Sequence, residues 1–491
     1  LIKDYLSAIN WFFKSYALLF VINIIFSMII IFAEKRKPIS TLLWVMAINF
    51  LPIFGFILYL FIGQDLSKKR MFDKRGSIKE DVGKISSAQL DLIKSGKKPI
   101  KERTKNYLDI IELFNKGEQE LLYSRNSVIK YNDGKDMFKQ LFEDINNAKT
   151  AIYIQTYIFK SDELGMELID LLKKKAQEGL EVILLVDGMG GRKFRNRDRE
   201  DLKRNGVKVE IFFPGLFKTI NTRINYRNHR KIIVIDHMIG YVGGLNIADE
   251  YVSRDKKFGF WRDTHLRITG DAVVGLEFRF FLDYRYASGR EDGGFISIIP
   301  DAFKEEEKLN TEMCIVTSGP NTKVNSIRNG YGKMITRAKK SVYIQTPYFI
   351  PDDGLYNAIK TAVLSGVDVN IMIPKTRDHI FVHWASLSFL GDLIQWGVKA
   401  YLYDGGFLHS KVITCDDYLS SVGTANFDIR SFELNFEVNA FIFDEQLNRS
   451  LVEDFKADVE KSIEITKEYY ASRSVMVKFK EGISRLLSPL L

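Results

Sequence analysis

Cysteine is nearly absent: Cys314 and Cys415 are the only two in 491 residues. Two thiols offer no disulfide framework and suit a reducing compartment. Cys415 shares a face with Ile413 on an alternating strand pattern and reads as packing. Histidine is also scarce, at six residues, and no His or Cys cluster has metal-ligand spacing. A phosphate-cradling GxxxxGK[ST] loop is missing as well. Metal, nucleotide and other cofactors are therefore not expected.

Charge is plentiful and tilted, with 71 Lys and Arg against 62 Asp and Glu, a formal +9. That balance suits nucleic acid or anionic lipid. Length and a 46% hydrophobic content allow two to four domains with sizeable cores.

The long apolar runs all lie at the front of the chain. Residues 15–33 and 38–64 contain no charged side chain, and each run meets the roughly 20 residues a helix needs to cross a bilayer. Both faces of each run are apolar, unlike a surface helix of a soluble core. A secretory signal is disfavoured, because the first run lacks a small-residue cleavage site and ends in Glu34, Lys35, Arg36 and Lys37. The expectation is a transmembrane hairpin over residues 1–66, its second helix kinked or re-entrant at Pro52 and Gly55. Basic residues Lys68, Lys69, Arg70, Lys74 and Arg75 after the second run, with Lys3 and Lys14 before the first, outweigh those of the connection. The catalytic region is therefore expected on the cytoplasmic side of the cell membrane, and the hairpin favours lipid over nucleic acid as partner. A polar stretch, 67–118, reads as a linker with some helix along the membrane surface.

Two of the six histidines open the same pattern, HxKxxxxD. It occurs as His229, Lys231 and Asp236, and again as His409, Lys411 and Asp416. Each copy continues to a Gly, Gly243 or Gly423, and to an Asn, Asn246 or Asn426, seventeen residues past its His. A lone HxK on an apolar strand is most often a packed His beside a snorkelling Lys; a repeated one argues for a site. Alternation puts His and Lys on one face of each strand. Phosphodiester exchange needs a nucleophile, a proton donor for the departing alkoxide, and cations on the non-bridging oxygens. Two His, two Lys and two Asn supply these: one imidazole attacks phosphorus while the other manages the proton. Asp263 and Glu437, at similar distances past their motifs, either orient the imidazoles or serve as strand-edge acids. His237, His265, His379 and His383 have no matching repeat and read as ordinary polar or packed residues.

These motifs resemble the paired HKD motifs of the phospholipase D superfamily. Gly244 departs from the Ser or Thr common in that family, a place Thr424 fills in the second copy, so one hydroxyl contact to phosphate is expected from Thr424 alone. The rest of the chain repeats too: IYIQTYIF at 152–159 returns as VYIQTPYFI at 342–350, and GLEVILLVDG at 179–188 as GVDVNIMIP at 366–374. Strand and helix alternate throughout, an α/β pattern. The resemblance implies two tandem α/β sandwich halves sharing one active site: 119–303, with its motif at about 224–251, and 304–491, with its motif at about 404–431. The final VMVKFKEGISRLLSPLL reads equally as a segment on the membrane surface or a helix docked on the second half.

The two apolar helices, the WRDTH segment and the terminal SRLLSPLL resemble bacterial cardiolipin synthases, and the DGxxAR pattern of CDP-alcohol phosphatidyltransferases is absent. That resemblance implies exchange between two phosphatidylglycerols through a phosphatidyl-histidine, giving cardiolipin and glycerol. The alternatives are a hydrolytic phospholipase D, a phosphatidylserine synthase using a CDP-diacylglycerol donor, and a non-catalytic lipid-binding protein with relic motifs.

Overall fold

A computed structural model describes residues 2–33, 38–59, 76–213, 226–289, 309–322 and 324–488. They divide into two bodies, one holding the N-terminal helices, the other running Ser77–Pro214 and Arg227–Leu491.

In the first body, helix Ile2–Ala33 is followed by Pro38–Phe50 and Pro52–Leu58. The second apolar run is thus broken where Pro52 removes a backbone donor. Its 13- and 7-residue pieces span about 20 and 10 Å, each short of a ~30 Å hydrocarbon core. Among the described residues no helix is long and apolar enough to cross a membrane. Gly55 makes the break possible, since a Cβ there would lie 2.1 Å from the Ala47 carbonyl oxygen. Asparagines link the body's helices: Asn23 donates to the Ile48 carbonyl at 3.1 Å and Asn49 to Ser27 Oγ at 2.9 Å. Leu18, Phe32, Phe50 and Phe54 face outward. Residues 34–37 and 68–75, which carry much of the charge reading of topology, lie outside the described residues.

Among the described residues the second body holds two large mixed sheets with helices on their faces, and a two-stranded one, Phe349–Ile350 with Phe427–Asp428. In the first sheet Ala151–Thr156 lies between Ile232–Ile235, antiparallel, and Glu181–Asp187, parallel. The second repeats this, with Ser341–Gln345 between Val412–Cys415 and Asp368–Pro374. The duplicated YIQT strings are these central strands, apolar enough to be covered on both faces. Each large sheet has its own core, one around Ile154, Leu184 and Ile233, the other around Ile344, Ile371 and Ile413.

The stretch expected to be a linker differs from that reading. Helices Gly76–Lys94 and Leu108–Glu118 are described there, and Ile110, Ile111 and Phe114 of the second are buried in the core of the second half. Its apolar positions recur at helical spacing among Lys and Glu, so average polarity conceals an amphipathic helix. Strand Leu122–Tyr123 likewise pairs with Glu312–Ser318 of the second sheet. The chain reaches the second half before it builds the first.

Candidate active site

The two halves exchange backbone where their motifs begin. Arg227–Asn228, entering the first motif, pairs in parallel with Asn435–Phe436 of the second sheet. Phe407–Leu408, entering the second motif, pairs with Trp261–Arg262 of the first. His229 N donates to the Phe436 carbonyl at 3.0 Å and His409 N to the Arg262 carbonyl at 2.7 Å. Each histidine is therefore fixed by the strand of the opposite half that carries an acid.

That acid completes the pair. His229 Nδ1 lies 3.0 Å from both carboxylate oxygens of Glu437, and His409 Nδ1 lies 2.7 Å from Asp263 Oδ2. Sequence spacing associated Asp263 with the first motif and Glu437 with the second; the structure crosses them. Lys231 Nζ and Lys411 Nζ donate to the carbonyls of their own motif histidines, at 2.8 and 2.5 Å.

Burial pushes His229 down to about 4 against the pull of Glu437. Burial and the neighbouring Lys411 do the same to His409, also to about 4, against Asp263. Burial pushes both carboxyls up, but the facing histidines and lysines outweigh it and hold them below the ordinary range. Neutral imidazoles facing carboxylates carry their proton on Nδ1, which leaves the Nε2 lone pairs for chemistry. Burial lowers Lys231 to about 7 and Lys411 to about 8, opposed by Glu437 and Asp263 respectively, so an arriving phosphodiester anion would draw protons onto both.

Below pH 6.5 the unfolded histidines take up protons that the folded ones refuse until about 4. His265, buried, and His383, half-buried beside Arg377, are lowered to about 4 as well, and outnumber His237, which Glu277 raises. Unfolding then gains protons between pH 6.5 and 4, so stability falls on acidification through that window. Urea midpoints at pH 7, 6, 5 and 4.5 are expected to decrease in that order.

The remaining expected site residues divide. Asn426 Oδ1 is buried with no hydrogen-bond partner among the described residues. Asn246 is engaged at both ends of its amide, accepting from Ile158 N at 3.0 Å and donating to the Tyr251 hydroxyl at 2.7 Å. Thr424, expected on phosphate, donates instead to Glu437 Oε2 at 2.6 Å. The equivalent Gly244 makes room for the shorter acid: a Cβ there would fall 1.9 Å from Asp263 Oδ1. Residues 244 and 424 thus serve the carboxylates. Gly244→Ser is expected to displace Asp263 from His409 and lower turnover roughly tenfold, with a circular-dichroism spectrum like that of the parent.

Asp236 and Asp416, grouped in sequence with the catalytic residues, lie at the far end of the motif strands. Asp236 accepts from the backbone of Lys149, Thr150 and Ala151, and Asp416 from that of Lys339, Lys340 and Ser341. Both residues sit at positive φ, 52° and 53°, which Asp tolerates better than most side chains. Each secures the start of its sheet's central strand. Asp236→Ala is expected to cost about 2 kcal/mol of stability while changing kcat less than threefold, as chemical denaturation and initial rates will show.

Sequence reasoning missed the support beneath the motifs. Gln155 and Gln345 of the two YIQT strings each donate at 2.8 Å to a buried carboxylate, Asp283 and Asp458. Asp283 pairs with Arg230 and Asp458 with Arg262, and Arg230 also donates to the Glu437 carbonyl at 3.0 Å. The repeated glutamine inside an apolar strand was the available signal. The aromatic surroundings of the two histidines differ: the Tyr157 ring lies 5.0 Å from His229, whereas the Trp261 and Phe407 rings lie 5.2 and 6.2 Å from His409.

Two tandem α/β halves, each giving a His-Lys motif and crossing its acid to the other, define a phospholipase D-like protein. The family described as cardiolipin synthase, PLD-like domain, matches residues 141–262 and 331–459, and a phospholipase D-nuclease N-terminal family matches residues 21–64. The chain is 45% identical over 477 residues to the major cardiolipin synthase of Bacillus subtilis, covering 97% of this chain and 98% of that one. It is 47% identical over 475 residues to the cardiolipin synthase of Oceanobacillus iheyensis, covering 96% and 98%. It belongs to the bacterial cardiolipin synthase family of the phospholipase D superfamily. Among solved structures, phosphatidylserine synthase of Haemophilus influenzae shares the fold, with a TM-score of 0.58 at 19% identity over 79% of this chain and 97% of that one.

Proposed function

We propose that this protein is a phosphatidyltransferase that joins two phosphatidylglycerols into cardiolipin and releases glycerol. The crossed pairs, His229 with Glu437 and His409 with Asp263, carry the reading, because they hold two neutral, oriented imidazoles, each close enough to feel the lysine of the other motif. One Nε2 attacks phosphorus, forming a P–N bond as the P–O bond to glycerol breaks; the other imidazole, carrying the proton it took from the acceptor hydroxyl of the preceding turnover, or from solvent in the first, gives it to the departing oxygen. The hydroxyl of a second phosphatidylglycerol then surrenders its proton to that imidazole and displaces the first. Two in-line displacements retain configuration at phosphorus. Lys231, Lys411 and Asn426 hold the non-bridging oxygens. One phosphodiester replaces another, so the exchange needs no activated donor.

Membrane residence supports transfer over hydrolysis, since a cleft fed from lipid meets more acceptor and less water. The N-terminal helices favour such residence: an apolar outer surface around a polar seam is the polarity of helices packed in lipid. We read them as the cell-membrane anchor, with the catalytic body on the cytoplasmic side.

The test is purified protein in phosphatidylglycerol vesicles without nucleotide, with products quantified. Cardiolipin and glycerol in equal amounts support the reading. Phosphatidic acid alone would make the protein a hydrolase, and dependence on CDP-diacylglycerol a synthase of the other type.

A further inference from the structure

The C-terminal helix Val475–Leu487 has its polarity reversed for a helix on a water-soluble body. It packs on helix Ile380–Trp396, yet its buried positions are Glu481 and Ser484, at 3% and 0% exposure, while Val475, Phe479 and Leu486 stand 83%, 62% and 67% exposed. The two stripes lie on opposite sides, because exposed residues recur at 475, 479, 483 and 486 and buried ones at 481, 484 and 488. A polar group does the docking: Arg485 pairs with Asp392 and donates to Ser388 Oγ of the partner helix, while Glu481 pairs with Arg473 just before its own helix.

The register extends the patch. Lys480 lies over the Trp384 ring at 5.7 Å and Arg485 over the Phe389 ring at 4.6 Å, so the helices run parallel with their N-terminal ends together. Ile380 and Phe381, 62% and 53% exposed, begin the partner helix, which in this register is the level of Val475 and Met476. This end borders the cleft. Asp378, just before the helix, accepts from the Tyr348 hydroxyl and is among the charges acting on Lys411; Ser386 of the helix accepts from Phe349 N at 3.0 Å. Lys478 and Lys480 are exposed on the flanks of the stripe, where cations meet the phosphates of an anionic surface.

We propose that this face, Ile380 and Phe381 with Val475, Met476, Phe479 and Leu486, inserts into the anionic lipid surface and holds the mouth of the cleft at the level of the phospholipid headgroups. The proposal rests on the reading that the substrates are membrane phospholipids. Water is a poor occupant of an apolar face this large, and the adjoining lysines select an anionic bilayer over a neutral partner.

The full chain, reconstituted in vesicles of phosphatidylcholine with phosphatidylglycerol, serves as the test. Phe479→Cys labels selectively with an environment-sensitive fluorophore, because both native cysteines are buried; Lys456→Cys, exposed on helix Glu445–Val459, is the control. Quenching by acyl-chain spin labels is expected to be at least threefold greater at 479 than at 456, and to weaken when phosphatidylglycerol is omitted. Equal quenching at the two positions would overturn the proposal. This readout needs no turnover, so its failure is separable from failure of the transferase reading. Phe381→Asp with Phe479→Asp is further expected to lower cardiolipin formation on vesicles at least tenfold while sparing short-chain phosphatidylglycerol in monomeric solution. Equal loss on both substrates, or unaltered vesicle activity with a changed oligomeric state, would overturn it in favour of a structural role or a second copy of the chain.

Discussion

Alanine at His229 or at His409 is expected to lower cardiolipin formation by at least about 10³-fold, since each imidazole carries a step the other cannot duplicate in place. The two variants are expected to fail differently. The imidazole that protonates the leaving glycerol becomes dispensable when the leaving group needs no proton, so phosphatidyl-p-nitrophenol should restore release of nitrophenol in one variant. The other lacks the atom that bonds to phosphorus and is expected to remain inactive on both substrates. Rapid quenching with intact-mass measurement adds a second readout, a phosphatidyl adduct in the rescued variant and none in its counterpart. Full activity of either variant on phosphatidylglycerol would end the two-histidine scheme.

The second large effect is expected away from the motif that it disables. Glu437→Gln removes the charge facing His229, and Asp263→Asn the charge facing His409. An uncharged amide neither secures the Nδ1 proton nor stabilises the imidazolium formed during the proton transfers, and a loss of about 10⁴-fold is characteristic of such carboxylates. The pH–rate profile separates this from general damage, because losing the carboxylate lowers the imidazole's proton affinity further and moves the corresponding limb to more acid pH. Leaving-group rescue should then follow the crossing: the Asp263→Asn variant is expected to behave like His409→Ala, and Glu437→Gln like His229→Ala. Rescue pairing each acid with the motif of its own half would contradict the geometry.

The histidines and lysines were legible in the sequence because a repeated string states composition and spacing together, and alternation along a strand places both side chains on one face. The α/β order was legible for the same reason. The crossing was not, because pairing of Arg227–Asn228 with Asn435–Phe436 joins segments about two hundred residues apart, and nothing local records it. Asp236 and Asp416 misled by their constancy of position: a residue repeated with a catalytic group is not thereby near it, and here the strand carries it to the opposite end. Gly244 looked like a missing hydroxyl until the carboxylate that occupies its space was seen. Residues 108–118 looked like linker because their charge is real and only their spacing is amphipathic.

The exchanged strands also govern what a lesion in this protein would mean. A substitution beside Glu437 would register chemically at His229, and one beside Asp263 at His409, so damage and symptom fall in different halves of the gene. Two inactive copies, each spoiled in one half, cannot be repaired by lending each other a whole motif; the lender would also have to hand over the strand that faces it. The halves therefore make one chemical unit, although the chain is written as two.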